Sequence, residues 1–152
     1  MRWLRFFVTV HARPAEARAG QAVPLAGRSV TPLVVPPEAL GTPWALSFEQ
    51  AYANLQRIER LFAEPDGSFF WGSARDEPAW QVEGALFDRQ GRLLCVDLKG
   101  TCPESVLDRL LAALGWPETP LMFQLMREGL YLDEADFRRY AREGGGSLAA
   151  DK

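Results

Sequence analysis

The segment Trp80–Thr101, WQVEGALFDRQGRLLCVDLKGT, constrains the fold more than any other stretch of the chain. Two alternating runs flank Asp88-Arg89-Gln90-Gly91, whose glycine suits the left-handed position of a tight turn, so the segment reads as one β-hairpin. A three-residue loop with a bulge sets Asp88 beside Arg92. Counting outward pairs Leu86 with Leu94, Gly84 with Val96 and Val82 with Leu98, and gives one apolar face that ends at Trp80. The other face pairs Phe87 with Leu93, Ala85 with Cys95, Glu83 with Asp97 and Gln81 with Lys99. Carboxylates opposed in this way, about 5 Å apart at Cβ, repel by roughly 3 kcal/mol at an effective dielectric of ~20. Lys99 on the same face relieves part of that repulsion. A divalent cation would relieve more, because hard cations take carboxylate oxygens.

Around the hairpin, the chain reads as a single α+β domain over residues 47–142. Ser47 and Gln50 form a capping box, and Phe48, Ala51, Tyr52, Leu55, Ile58 and Phe62 recur at helical spacing. Pro65-Asp66-Gly67 stops that helix, and Ser68–Trp71 is a short aromatic strand. Pro103 opens a second helix at its first position, with Val106, Leu107, Leu110, Leu111 and Leu114 as the buried stripe and Gly115-Trp116-Pro117 as the stop. Leu121–Met126 is a strand, Leu130–Leu132 pairs back on it, and Asp133 caps a last helix that buries Phe137 and Tyr140. The expected order is αβββαβα, with a mixed four- to five-stranded sheet and flanking helices. The passage from Cys95–Lys99 through the second helix to Leu121–Met126 is expected to be a right-handed parallel crossover.

Residues 1–46 read as a Pro/Ala-rich arm or linker, mostly unstructured. Six prolines between residues 13 and 45 remove amide donors, which argues against a ladder or a long helix there. Arg2–His11 is placed, at most, as an edge strand. Gly144-Gly145-Gly146 opens a tail, taken as flexible over residues 143–152.

Charge and cysteine content narrow the function classes. Residues 1–37 hold five Arg and one Glu, whereas residues 47–142 hold eleven Lys and Arg against sixteen Asp and Glu. An acidic domain lacks the footprint of a non-specific nucleic-acid binder, which neutralises phosphates. Two cysteines, Cys95 and Cys102, make no disulfide framework, so a reduced, cytoplasmic setting is the expectation. No apolar run is long enough to cross a membrane, and Arg5 interrupts the short apolar stretch that would otherwise imitate a secretory signal over residues 1–19. Cys102, at a helix start, is a second candidate for chemistry, with a small packing residue as the plain alternative. The only histidine, His11, falls outside the expected core, which disfavours histidine acid–base chemistry and a His zinc site. Trp71, Trp80, Phe69 and Phe70 read as sheet packing that can leave an exposed patch for a partner.

The acid on the second strand and the acid-x-Lys on the third, Asp97-Leu98-Lys99, with an αβββαβ order over residues 48–126, resemble the core of the PD-(D/E)XK nuclease superfamily. The fourteen-residue step from Glu83 to Asp97 is similar to the hairpin spacing of the RecB-type and Cas4-like members. The resemblance implies a magnesium or manganese ion on Glu83 and Asp97, with Lys99 positioning or polarising the attacking water on a phosphodiester. Nucleic acid is a partner only under that reading. The departures are a Glu where the family usually has Asp, no Q-x-x-x-Y element, and no basic groove. The favoured expectation is therefore a small acidic, non-catalytic interaction or regulatory protein, an adaptor or an immunity-type inhibitor, with a protein partner and no cofactor.

Overall fold

The computed structural model describes residues 2–144 of the chain; most of the predicted tail lies outside the described residues. The strands are β1 (Trp3–Ala12), β2 (Arg18–Ala19), β3 (Val23–Leu25), β4 (Arg28–Val30) and β5 (Leu33–Val34), then, after α1 (Phe48–Gln56), β6 (Leu61–Ala63), β7 (Ser68–Gly72), β8 (Gln81–Arg89) and β9 (Arg92–Pro103). Helix α2 (Glu104–Ala113) leads to β10 (Leu121–Leu125), β11 (Tyr131–Leu132) and α3 (Glu134–Arg142). Nine strands form one sheet in the order β2-β5-β11-β10-β1-β9-β8-β7-β6, and β3 and β4 form a separate hairpin. The α+β class is as expected. The strand count and order are not.

The largest correction concerns the amino-terminal stretch. β1 is no edge strand: it lies between β9 and β10 and pairs antiparallel with both. Its alternate residues Leu4, Phe6, Val8 and Val10 are fully buried, and Phe6 meets Phe137 of α3 edge-on at 6.0 Å. The prolines confine strands β2 to β5 to two or three residues each, yet these still pair, and Trp44 is wholly buried. The crossover therefore changes as well. β9 and β10 run parallel to each other, but β1 separates them.

Local chemistry explains the remaining elements. Ser47 Oγ accepts from the Gln50 amide at 3.0 Å, and Gln50 Oε1 accepts from the Ser47 amide at 2.9 Å, so the capping box forms. Helix α1 ends at Gln56, earlier than the apolar spacing suggests. Phe62 belongs to β6, where it faces Phe70. Asp66 Oδ1 accepts from the Ser68 amide and Gly67 adopts φ +101°, so the turn links β6 to β7. Pro103 is the residue before α2 and not its first. The exposed amide of Glu104 is met by the Arg2 carbonyl at 2.8 Å. The stop at Gly115 is a Schellman motif: Trp116 donates to the Leu111 carbonyl at 2.9 Å and Gly115 to Ala112 at 3.1 Å. Asp133 Oδ1 caps α3 by accepting from Asp136, and Phe137 and Tyr140 are buried as expected.

All three helices lie against one face of the sheet, which carries Leu4, Phe6, Val82, Leu86, Val96 and Leu98. Arg138 of α3 is buried there and pairs with Glu104 at 2.9 Å, with Asp108 at 2.6 Å and with Glu134. Nothing in the sequence pattern marks this network, because its members come from two helices 30 residues apart.

This packing can be tested at Gly84, Glu104 and Arg138. A Cβ on Gly84 would stand 2.4 Å from the Asp97 carbonyl oxygen and 2.5 Å from the Phe69 ring. Gly84→Ala should cost about 2–3 kcal/mol in urea unfolding, since the obstacle includes backbone. The second test concerns Glu104. The Arg142 guanidinium, and then Arg138, hold its carboxyl down at about 2, below the ordinary carboxylate value. A depressed folded value gives stability that is full above the unfolded value near 4.5 and is lost as pH falls toward 2. Thermal melts between pH 5 and 2 should show that loss, and Glu104→Gln should flatten it. Arg138→Ala, which strands several carboxylates, should cost about 2–4 kcal/mol at pH 7.

Candidate functional site

The three residues singled out in the sequence share one face, the face turned away from the helices. Their pairing differs from the expectation. The turn is a two-residue one, with Gln90 at φ 54° and Gly91 at φ 83° and with Arg89 opposite Arg92. A bulge then interrupts the ladder: Asp88 faces Leu93 while Phe87 faces Cys95, so Leu94 has no opposite number. Beyond it every partner is displaced by two residues from the expected register. Glu83 faces Lys99, not Asp97, and Asp97 faces Ala85. The displacement is even, so each side chain keeps its face.

The two acids therefore stand on a diagonal, about 7 Å apart at Cβ. Each has a neighbour that answers its charge or polarity. Asp97 Oδ1 accepts from Thr9 Oγ1 of β1 at 2.8 Å, and Thr9 is itself buried. Lys99 stands across the ladder from Glu83, and its Nζ lies 5.1 Å from the centre of the Phe7 ring. Among the described residues, no group of three or more His, Cys, Asp or Glu side chains is gathered closely enough to hold a metal ion. The donors the nuclease reading requires thus number two, on a diagonal, and one of them is already engaged.

Reading the ladder across five strands gives a single row: Phe62 of β6, Phe70 of β7, Glu83 of β8, Lys99 of β9 and Phe7 of β1. Phe62 is 69% exposed and Phe70 46%; Phe87, on the same face nearer the turn, is 45% exposed. Two shallow depressions flank the row and share Phe7, Glu83 and Lys99. One, of about 550 Å³, adds Arg5, Trp80, Gln81, Thr101 and Arg127. The other, of about 470 Å³, adds Phe62, Phe70, Glu64, Ser68 and Asp97. The first carries three cationic side chains and one acid, the second three acids and one cation.

Sequence reasoning missed the contribution of β1, which supplies Arg5, Phe7 and Thr9 to this face. The signal was present in WLRFFVTVHA, whose even positions are uniformly apolar. His11 also lies on β1: its Nε2 is 2.9 Å from Gln124 Oε1, its ring meets Tyr131 edge-on at 5.7 Å, and burial lowers its pKa. Cys102 is fully buried, and burial pushes its thiol up to about 12; Cys95 is pushed up to about 11, by burial and then by Asp97. Neither is poised as a thiolate, so the candidate role of Cys102 in redox or nucleophilic chemistry finds no support.

Comparison of the chain with protein-family models, with curated proteins and with solved structures gives no match.

The thiol environments yield a direct prediction. At pH 8 both cysteines should react with a thiol reagent roughly a hundredfold more slowly in the folded protein than in urea, because the thiolate is the reacting form. The check is the rate of colour release with an aromatic disulfide.

Proposed function

We propose that this chain is a non-catalytic interaction or regulatory protein that binds a protein partner through the uncovered face of its sheet. The observation that carries the reading is the set of large rings left in solvent there: Phe62, Phe70 and Phe87 stand out from a sheet whose opposite face is fully packed. Isolated exposed apolar residues are ordinary, but Phe62 and Phe70 stand opposite each other in the β6–β7 ladder, an aromatic pair of the kind interfaces use. The sheet holds the rings rigidly, so little conformational entropy is lost on contact. Charged groups between the rings, Glu83 and Lys99, supply register and selectivity.

The competing reading, a magnesium- or manganese-dependent nuclease with Glu83, Asp97 and Lys99 as its centre, is supported by those three side chains sharing a face. Against it weigh the diagonal placement of the acids, the Thr9 hydrogen bond to Asp97, and Lys99 lying across from Glu83.

Two measurements separate these readings. Manganese titrated calorimetrically into the wild-type chain and into Asp97→Asn should give the same negligible heat, with no cleavage of single- or double-stranded DNA by either. Manganese binding and cleavage that both vanish in Asp97→Asn would overturn the proposal. A photo-reactive residue introduced at position 70 should give protein adducts of discrete mass in cells, while one at the exposed position 118 should not. Equal, diffuse labelling from both positions would remove the interaction reading.

A further inference from the structure

We infer that the partner seated on the open face is a second copy of this chain, docked face to face about a two-fold axis that runs parallel to the strands between Glu83 and Lys99. This rests on the reading that the open face is a binding surface, and it names the occupant.

The order of residues along the central row points to a second copy. From β6 to β1 it reads Phe62, Phe70, Glu83, Lys99, Phe7, and Met126, 43% exposed, follows Phe7 through a 3.1 Å hydrogen bond from its amide to the Phe7 carbonyl. Read from the middle outward, the row is an acid then two apolar residues on one side, and a base then two apolar residues on the other. Rotation about an axis along the strands reverses the row. It sets Glu83 of one copy over Lys99 of the other, Phe70 over Phe7, and Phe62 over Met126. Every charge meets its opposite and every apolar group meets another. A two-fold axis along the row would instead set Glu83 on Glu83 and Lys99 on Lys99, so the charges select one symmetric arrangement and penalise the other.

Area supports a stable contact. The six strands β6, β7, β8, β9, β1 and β10 hold 44 residues between them, which at ~4.8 Å strand spacing and ~3.4 Å per residue give a face of about 700 Å² per copy. A specific interface needs about 800 Å² per partner, and protruding rings add to the flat estimate. Two twisted sheets can pack in this way at about −30°.

The experiment is sedimentation equilibrium of the full chain from about 1 μM to about 0.5 mM, a span that covers weak and firm association. The wild type should be a monomer–dimer system. Glu83→Lys and Lys99→Glu should each weaken dimerisation at least about tenfold, the equivalent of 1.4 kcal/mol. The double exchange Glu83→Lys with Lys99→Glu should recover the affinity to within about threefold, because it restores the same pairing reversed. The three positions altered, Glu83, Lys99 and Phe70, are exposed, and melting curves check that each variant folds. Phe70→Asp should leave a monomer of unchanged melting temperature. A wild type that stays monomeric throughout, or a double exchange no better than the single ones, would overturn the inference. Such a monomer that still forms discrete adducts from position 70, none of twice the chain mass, would leave the interaction reading standing with a different protein as the occupant.

Discussion

The sheet holds together because β1 fills the gap between β9 and β10. Those two strands have no ladder with each other; each is hydrogen-bonded to β1. Without it the molecule would separate into a β9-β8-β7-β6 meander and a β10-β11-β5-β2 fragment. The same strand presents Leu4, Phe6, Val8 and Val10 to the helices and Arg5, Phe7 and Thr9 to solvent or the open face. It therefore closes the core and completes the candidate site at once. Phe137 shows how the closure is packed: it stacks on Phe123 of β10 at 4.3 Å and meets Phe6 of β1 edge-on, so α3 bridges the seam between the two strands.

Local signals in the sequence were reliable where they governed local structure. The capping box at Ser47, the Gly115 stop and the Asp133 cap all rest on contacts within a few residues, and each formed. The turn at Gln90-Gly91 and the start of α2 were each off by one residue, and the larger failures depended on distant partners. Residues 3–12 alternate cleanly, but the prolines that follow argued for a loose arm, and only the open space between β9 and β10 makes a core strand of them. Arg5 is tolerated because it is an odd residue and faces away from the helices.

The hairpin shows a subtler division between what is legible and what is not. Face assignment depends on parity along each strand, and it survived. Register depends on the turn and on every residue between the turn and the site, and one unpaired residue, Leu94, displaced it by two together with a shorter turn. The bulge has a visible cause: Leu93 is fully buried, and the carbonyl of Leu94 accepts the indole N–H of buried Trp44 at 3.0 Å. Trp44 comes from the stretch read as a linker. Misjudging that stretch therefore accounts for part of the misplacement of Glu83, the bulge at Leu94; the shorter turn accounts for the rest.

That displacement also decides the character of the site. Opposed carboxylates would be an unstable arrangement calling for a cation, and a metal centre would follow from electrostatics. With the register found, Glu83 stands across from Lys99, and Asp97 faces Ala85 while taking a hydrogen bond from Thr9, so the two carboxylates no longer oppose each other. The remaining unsatisfied feature of the face is its exposed aromatic surface, and burying that surface against another protein is the release that hydrophobic physics offers. Two residues of slip in one ladder thus set Glu83 across from a base instead of an acid.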